Sequence, residues 1–296
     1  MSATEHSDEH HRRKRRRAAI RHAVFTRGPV RLSIGLLGRP RPGGSFCVNQ
    51  RTIELDELPD ELCGLRVTHL SDPHIGELIT PDHLPGIVEA ANNLGGHVIA
   101  VTGDFIDFSN KVLPHVVDAM KRLEAPLGSY FVLGNHDYLD NATEVKRAFR
   151  DAGLNLLLNT CIRVDHHGRR IAIGGVDWAD KPGQLTRYVR SACRHMNGDC
   201  DLSILLAHHP HAFDVAHRYG VHVTLSGHTH GGQVLLSDRR GRKGSIGLAN
   251  LGFRYTRGLY SRGASRLYVS SGVGSWFPFR FRCPAEITSL ELQCTY

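Results

Sequence analysis

The sequence lacks a long hydrophobic run. Between Ala18 and Gly38, where the basic N-terminus would lead into a membrane anchor, the longest uncharged stretch is Leu32–Gly38. A spanning helix needs about 20 apolar residues, and three arginines at mid-membrane would cost roughly 8–10 kcal/mol. We therefore expect neither a transmembrane span nor a secretory signal, and we expect the protein to be cytoplasmic.

Cysteine occurs in no pattern that would organise a fold. The seven cysteines, at positions 47, 63, 161, 193, 200, 283 and 294, include no CxxC pair and have no regular spacing. The scatter and the odd number argue against a disulfide framework and favour reduced thiols. Internal repeats and low-complexity tracts are also absent from the body of the chain, so a repeat architecture is not expected.

The net charge of +8 is unevenly distributed along the chain. Residues 1–51 hold 12 Lys/Arg against 3 Asp/Glu, and the segment from Arg239 onward holds 10 against 2. We divide the chain into a basic, disordered arm with a Pro/Gly linker, residues 1–45, and a folded domain, residues 46–296. The arm is a candidate for peripheral contact with anionic membrane or nucleic acid, and a solvated tail is the alternative.

Short apolar runs alternate with helical patterns through the folded domain. The runs that predict strands are 65–70, 97–102, 130–133, 171–174, 202–207, 221–225 and 267–270. The segments that predict helices are 81–94, 111–124, 142–152 and 184–196, with Thr80 and Asn141 as candidate N-caps. This alternation predicts an α/β fold in which helices cover largely buried strands.

Polar side chains follow five of these strands at the point where each strand ends. The five segments are Ser71–His74, Gly103–Asp104, Gly134–Asp137, His208 and Gly227–His230. Since ligands bind at the carboxyl ends of strands in α/β folds, these segments should converge on one crevice. Burying so many polar groups without a partner would be costly, so we expect them to share a ligand.

The converging segments offer carboxylate, imidazole and amide oxygen, but no thiolate. Such donors favour Mn²⁺, Fe²⁺/Fe³⁺ or Zn²⁺. The candidate metal ligands are Asp72, His74, Asp104, Asn135, His208, His228 and His230. We prefer His208 to His209, whose side chain should point to the opposite face. The set is too large for one ion, so we predict two divalent ions that share a carboxylate.

Two such ions would leave an excess of positive charge, which suits a hydroxide nucleophile and a phosphate group. Metal binding lowers the pKa of water from about 15.7 to about 7, so a hydroxide bridging the ions would be available at neutral pH. His136 is a candidate catalytic residue that could protonate the leaving oxygen or stabilise phosphoryl charge. Asp137, the second candidate, could orient His136.

Five short blocks carry a resemblance to a known family. They read DPH, GDFID, GNHD, AHHP and GHTHGGQ, in this order between Asp72 and Gln233. In identity and spacing the blocks resemble the calcineurin-like metallophosphoesterase superfamily. The segment Ser270–Ile287 resembles a bacterial branch, often membrane-associated, that includes enzymes similar to UDP-2,3-diacylglucosamine hydrolases and manganese-dependent phosphoesterases. The resemblance covers residues 47–292.

The resemblance implies a four-layer αββα sandwich with a dimetal site at the C-terminal ends of the strands. It assigns to one ion the ligands Asp72, His74, Asp104 and His230. It assigns to the other ion the ligands Asp104, Asn135, His208 and His228, with Asp104 bridging. Pro73 stands where the family usually has an aliphatic residue, and we expect it to keep Asp72 extended and the site intact.

Two classes of function follow from these observations. The first is a phosphomono- or phosphodiesterase acting on an anionic phosphoester, with a lipid-linked nucleotide sugar as the favoured substrate. Within this class a cyclic nucleotide phosphodiesterase or nuclease is the alternative, suggested by the cationic segment after Arg239. The second class is a metal-bound scaffold whose arm sits on anionic membrane or RNA. The sequence gives no indication of oligomeric state.

Overall fold

The computed structural model describes residues 13, 15–20, 23–32, 46–196, 198, 200–237, 246–247 and 252–295. Within the N-terminal arm, residues 15–20 are helical, followed by a π-helical turn at Ala23–Arg27 and a short helix, α1, at Gly28–Leu32. The division into an arm and a folded domain stays a prediction. Within the described residues, no helix combines the length and the apolar character that crossing a membrane requires.

The folded domain alternates strands and helices, as the sequence pattern predicts. The strands in the described residues are β1 (Phe46–Leu55), β2 (Arg66–Leu70), β3 (Val98–Thr102), β4 (Ser129–Val132), β5 (Asn155–Leu156), β6 (Thr160–His166), β7 (Arg169–Val176), β8 (Leu202–Ala207), β9 (Val223–Ser226), β10 (Leu235–Ser237), β11 (Ile246–Gly247), β12 (Gly258–Arg262), β13 (Ser265–Val269) and β14 (Ala285–Cys294). The helices are α2 (Leu84–Asn93), α3 (Leu113–Lys121), α4 (Ala142–Asp151), α5 (Pro182–Met196) and α6 (Phe213–Ala216).

The longer strands form two mixed six-stranded sheets. The first sheet has the order β1-β14-β2-β3-β4-β5, and the second has the order β12-β13-β9-β8-β7-β6. Strands β2 to β5 are parallel to one another, as are β7, β8, β9 and β13. Because these parallel strands end at the same edge of their sheet, the segments that follow them meet there.

The side chains of the central strand β3 show how the layers are arranged. All five of its residues are buried, as expected for a parallel strand covered on both faces. Val98 and Ala100 belong to the core between the two sheets, and Ile99 and Val101 belong to the core beneath α2, α3 and α4. A third core lies between the second sheet and helices α5 and α6. The four-layer αββα prediction is therefore confirmed.

Strands β1 and β14 are absent from the predicted strands. They pair in parallel over their full length, from Phe46 opposite Ala285 to Leu55 opposite Cys294. Strand β14 buries the polar side chains of Glu286 and Thr288, so it does not read as an apolar run. On its other side β14 pairs with β2 in antiparallel fashion, which brings the segment before β14 next to the end of β2.

The two predicted N-caps differ in outcome. The side chain of Asn141 accepts a hydrogen bond from the backbone N–H of Glu144 at 3.2 Å, so it caps α4 as predicted. Thr80 precedes a 3₁₀ turn at Pro81–His83 and makes no side-chain capping bond there. Proline at the first position of that turn has no N–H that would need an acceptor, which removes part of the reason for a cap.

Candidate metal centre

The segments that follow β2, β3, β4, β8 and β9 meet at one edge of the sandwich. Backbone hydrogen bonds join them: Asp72 N donates to Gly103 O at 3.0 Å, and His74 N donates to Asp104 O at 2.9 Å. Across the two sheets, His228 N donates to the Asp72 carboxylate at 3.0 Å. The backbone therefore fixes the candidate ligands relative to one another before any ion binds.

The backbone at this edge is strained at the candidate ligands themselves. The φ angles are 54° at Asp72, 47° at His74, 55° at Asp104, 72° at His228 and 51° at His230. A left-handed conformation costs a non-glycine residue roughly 1–2 kcal/mol. Strain of this kind persists where the surrounding structure imposes it, and it clusters at functional sites.

The conformation of Asp72 corrects one expectation. We expected Pro73 to keep Asp72 extended, but the φ of Asp72 is 54°, in the left-handed region. The flanking hydrogen bonds impose this conformation, because Asp72 N donates to Gly103 O and Asp72 O accepts from Gly274 N at 2.9 Å. The chain therefore bends at Asp72, the residue before Pro73.

One group of candidate ligands is fully buried. His74 Nε2 lies 3.0 Å from His230 Nε2, and His230 Nε2 lies 3.4 Å from Asp72 Oδ1. His74 Nε2 also lies 3.4 Å from Asp104 Oδ2. We call Asp72, His74 and His230 the enclosed group; their ligand atoms lie within 4.8 Å of one another and could hold a metal ion.

A second group lies on the other side of Asp104. His208 Nε2 lies 3.2 Å from Asp104 Oδ2 and 3.2 Å from Asn135 Oδ1. His228 Nδ1 lies 3.2 Å from His208 Nε2. We call Asn135, His208 and His228 the open group, because Asn135 and His228 are only half-buried. With Asp104, its two histidines form a second cluster that could hold a metal ion.

One carboxylate oxygen of Asp104 lies close to both groups. Its Oδ2 lies within 3.4 Å of His74 Nε2 and within 3.2 Å of His208 Nε2. Its Oδ1 accepts a hydrogen bond from His136 N at 2.7 Å, which orients the carboxylate. The structure thus brings all seven predicted ligand side chains together, and their division between two ions stays a prediction.

The buried candidate ligands differ in their protonation. Burial, together with the neighbouring imidazoles, holds the pKa of His228 and His230 well below the usual value, so both are neutral. Burial opposes ionisation of Asp104, but the charges of His208 and His136 outweigh it and hold the Asp104 pKa well below its usual value. Burial raises the pKa of Asp72, while at His208 the Asp104 carboxylate outweighs burial and raises the pKa to about 9. A metal ion binds carboxylates and neutral imidazoles, so its binding here would release these protons.

His136 stands at the rim of the site, beside Asn135. Its Nδ1 donates to the backbone carbonyl of Asp107 at 2.5 Å, and its ring packs edge-on against His74 with centroids 4.5 Å apart. Burial lowers the pKa of His136, but the carboxylates of Asp104 and Asp107 outweigh burial and raise it to about 9. An imidazolium held at this rim can donate a proton or stabilise negative charge.

The contacts of Asp137 differ from those that we predicted. Its carboxylate accepts hydrogen bonds from the backbone N–H groups of Asp104, Phe105 and Gly134, at 2.9, 2.8 and 2.8 Å. The side chain therefore holds the loops that follow β3 and β4, rather than orienting the imidazole of His136. It positions Asp104 through the backbone.

Asp107 is a residue that the sequence reasoning missed. Its Oδ1 lies 3.5 Å from His74 Nδ1 and 3.5 Å from His136 Nδ1, so it links a candidate ligand to a candidate catalytic residue. This is the orienting role that we had given to Asp137. The signal was present, because Asp107 is the last residue of the block GDFID.

Arg280 is a second residue that the sequence reasoning missed. Its Nη2 donates to the carbonyls of Ser271 and Gly274 at 2.8 and 2.6 Å, and its Nη1 donates to the carbonyl of Cys283 at 3.1 Å. The same Nη2 approaches His230 Nδ1 to 3.3 Å. Because the two hydrogens of Nη2 serve the carbonyls, this approach is electrostatic, and it favours the neutral form of His230.

The loop that Arg280 holds lies directly against the enclosed group. A Cβ on Gly272 would come within 2.9 Å of the Asp72 Cβ and 3.1 Å of His230 Nδ1. The φ of Gly272 is 77°, which a side chain would strain. The loop thus closes one side of the enclosed group, and Arg280 fixes the loop.

Aromatic rings surround the open group. The indole of Trp178 lies with its centroid 5.5 Å from that of His228 and 5.8 Å from that of His208. The ring of His209 stacks on His228, with centroids 4.9 Å apart. We expected His209 to face away, but β8 ends at Ala207, so strand alternation no longer applies.

Four described arginines of the cationic C-terminal segment, Arg254, Arg257, Arg262 and Arg266, lie within 3.9 Å of carboxylates. Arg257 Nη2 lies 3.5 Å from Glu286 Oε2, and Arg262 Nη1 lies 3.0 Å from Asp214 Oδ1. The basic run at 238–243 lies outside the described residues.

An α/β sandwich that gathers aspartate and histidine side chains at the carboxyl ends of its strands is the framework of a metal-dependent enzyme. The family model for calcineurin-like phosphoesterase matches residues 65–232, from β2 to the end of the GHTHGG segment. The chain belongs to this family and is a metal-dependent phosphoric ester hydrolase. The narrower bacterial branch stays a prediction.

Relatives of known sequence agree with this assignment. The chain is 31% identical to the uncharacterized metallophosphoesterase YkuE of Bacillus subtilis, over 83% of this chain and 85% of that protein. It is 32% identical to a zebrafish protein named transmembrane protein with metallophosphoesterase domain, over 81% of this chain and 56% of that protein. Among solved structures, the NAD nucleotidase of Haemophilus influenzae aligns with 72% of this chain and 50% of its own, at 15% identity and a TM-score of 0.45.

Proposed function

We propose that the protein is a dinuclear metal-dependent phosphoesterase that hydrolyses a phosphomono- or phosphodiester. The observation that carries the proposal is the shared oxygen of Asp104, which lies 3.4 Å from His74 Nε2 and 3.2 Å from His208 Nε2. A carboxylate placed between two sets of imidazoles suits a pair of divalent ions, with Mn²⁺, Fe²⁺/Fe³⁺ and Zn²⁺ as candidates. Two such ions would supply positive charge for the phosphate and would ionise water at neutral pH.

The residues of the chain would hold the ions and manage charge at the rim. Asp72, His74 and His230 would hold one ion, and Asn135, His208 and His228 would hold the other. His136 would face the phosphoester and give a proton to the leaving oxygen, with its imidazole held in place by the carbonyl of Asp107.

For the substrate we favour a lipid-linked nucleotide sugar, reached from the inner face of the membrane through peripheral contact of the basic arm. The alternative, a cyclic nucleotide or nucleic acid, would use the cationic C-terminal segment. Two of its arginines, Arg257 and Arg262, already face the carboxylates of Glu286 and Asp214. This pairing leaves less positive charge for a polyanion and supports the lipid-linked substrate.

Hydrolysis of aryl phosphate mono- and diesters with Mn²⁺, Fe²⁺ or Zn²⁺ tests the proposal. We expect activity with at least one ion, a content of two ions per chain, and a loss of about 10²–10⁴-fold in kcat for His136→Ala with both ions retained. The control is His115→Ala, a histidine on α3 outside the site. The proposal would be contradicted if no ester were hydrolysed and if His136→Ala changed neither the activity nor the metal content.

A further inference from the structure

Exposed hydrophobic side chains are concentrated on two segments. Among the described residues, seven large hydrophobic side chains are exposed, and five of them lie on these segments. Ile20 and Val24 belong to the helical arm and are 54% and 57% exposed. Trp276, Phe279 and Phe281 belong to one loop and are 39%, 40% and 44% exposed. Such concentration, unlike scattered single residues, marks an interaction surface.

The helical arm lies over the loops that carry the metal centre. Arg15 contacts Asp140, in the loop after β4, at 2.8 Å, and its guanidinium lies 6.0 Å from the ring centroid of Phe108, in the loop after β3. Arg27 donates to Glu77, in the loop after β2, at 2.9 Å. These contacts hold the arm at the carboxyl ends of the strands, the edge at which the metal centre lies.

The aromatic loop borders the same edge, next to His230. Gln233 follows His230 closely in the chain, and its side chain donates to the carbonyls of Phe277 and Phe279 at 2.8 and 3.0 Å. Phe281 N donates to Gln233 O at 2.8 Å. The backbone of the loop is thus fixed inward while three of its aromatic side chains point to solvent.

We propose that these two segments form one docking surface for an anionic lipid bilayer. We call it the lipid-facing surface and define it by Arg16, Arg17, Ile20 and Val24 of the arm and by Trp276, Phe279, Phe281 and Arg282 of the loop. It would hold the metal centre against the headgroup layer. It rests on the membrane contact of the arm given under the proposed function, and it adds the aromatic loop to that contact.

Charge and chemistry together identify the occupant. Arg16, Arg17 and Arg282 are exposed beside the apolar side chains, and the guanidinium of Arg282 lies 5.2 Å from the ring centroid of Phe281. Basic residues interleaved with Ile and Val on a helix, and Trp and Phe on a fixed loop, suit the boundary between headgroups and acyl chains. The excess of 12 Lys/Arg over 3 Asp/Glu in residues 1–51 favours an anionic surface.

Cosedimentation of the full chain with lipid vesicles tests this surface. We expect binding to vesicles of phosphatidylglycerol and phosphatidylcholine in equal amounts, and at least about tenfold weaker binding to pure phosphatidylcholine. Changing Trp276, Phe279 and Phe281 together to Ser should weaken binding about tenfold at any salt concentration. Arg16→Glu with Arg17→Glu should weaken it about as much at low salt and less at high salt.

The matched control replaces the two exposed hydrophobic residues that lie elsewhere, on the edge strands β1 and β12. Val48→Ser with Leu259→Ser should leave vesicle affinity within about twofold, because neither residue belongs to the lipid-facing surface. Circular dichroism and aryl phosphate hydrolysis report whether each variant is folded. Equal losses in this control and in the aromatic variant would overturn the proposal.

Fluorescence of Trp276 gives a second measurement in a nearly unaltered chain. The chain has two tryptophans, so Trp178→Phe leaves Trp276 as the reporter. Anionic vesicles should shift its emission to shorter wavelength, and brominated acyl chains should quench it. The proposal fails if neither change in the emission occurs. It also fails if the unaltered protein is a dimer and the aromatic variant a monomer, or if the protein binds RNA in preference to vesicles. Hydrolysis of a soluble aryl phosphate does not need this surface, so that assay tests the phosphoesterase activity separately from lipid binding.

Discussion

The enclosed and open groups use similar side chains in different surroundings. Asp72, His74 and His230 are buried, and the loop held by Arg280 lies against two of them. Asn135 and His228 of the open group are half-buried, and His228 packs against the rings of Trp178 and His209. An ion in the enclosed group would have little access to substrate, whereas one in the open group would face the mouth of the site. We therefore expect the enclosed group to retain its ion more firmly, and the ion in the open group to contact the phosphoester.

The shared carboxylate joins the two sides, so its removal should have the largest effect. We expect Asp104→Ala to lose both ions and to reduce kcat/KM by more than about a thousandfold, the loss of several kcal/mol of transition-state stabilisation. Metal analysis after dialysis and hydrolysis of an aryl phosphate measure the two effects.

Asp118→Asn, an exposed carboxylate on α3, is the matched control and should bind two ions with unchanged activity. If Asp104→Ala kept both ions, the two groups would be independent sites and the comparison would have to be abandoned.

Single histidine replacements separate the two groups. His230→Ala should empty the enclosed group and His228→Ala the open group, each leaving about one ion per chain and reducing kcat/KM about 10²–10³-fold. With Mn²⁺, electron paramagnetic resonance should show a coupled pair in the unaltered protein and isolated ions in each variant. His209→Ala, which replaces the ring stacked on His228, is the control and should retain the coupled signal.

The rate at which the remaining ion exchanges with a chelator should also differ between the two variants. The ion left in His228→Ala is enclosed and should exchange slowly with a chelator, while the ion left in His230→Ala should exchange faster. Equal exchange rates, or loss of both ions from either variant, would mean that burial of the enclosed group has no consequence for metal retention.

The ligands themselves could be predicted from sequence, because each follows an apolar run at a strand end. What surrounds them could not. Arg280 stands between Phe279 and Phe281 in a segment without periodicity. Its partners are the backbone carbonyls of Ser271 and Gly274, which no pattern of side chains marks. The left-handed φ angle of Asp72 is held by hydrogen bonds to Gly103 and Gly274 in other loops, which no local propensity specifies.

Strand β14 shows the same limit at the level of the fold. Its buried Glu286 accepts hydrogen bonds from the backbone N–H of Ser271 at 2.9 Å and from the Tyr268 hydroxyl at 3.1 Å. A buried carboxylate in a strand is tolerated only with such partners, and these lie on other elements. The strand therefore becomes recognisable only once the tertiary contacts are known, although it supports the loop against the enclosed group.

The smallest expected effects come from the residues that surround the two groups. Arg280→Met should free the loop at Ser271–Gly274 and weaken the enclosed ion about 10–100-fold, as is usual when a support of a metal ligand is removed. Arg282→Met, in the same loop but exposed, is its control. Trp178→Leu should weaken the open ion instead, and by less, because rings pack against His208 and His228 without hydrogen bonds to either.

Calorimetric titration with Mn²⁺ resolves the two binding steps in each variant. Arg280→Lys should recover part of the affinity, since an ammonium can donate to some of the carbonyls but not in the planar geometry of a guanidinium. If Arg280→Met tightened the enclosed ion, repulsion between the guanidinium and the metal would outweigh the support of the loop. The enclosed group would then owe its retention of metal to burial alone, and the contrast with the open group would rest on solvent access rather than on Arg280.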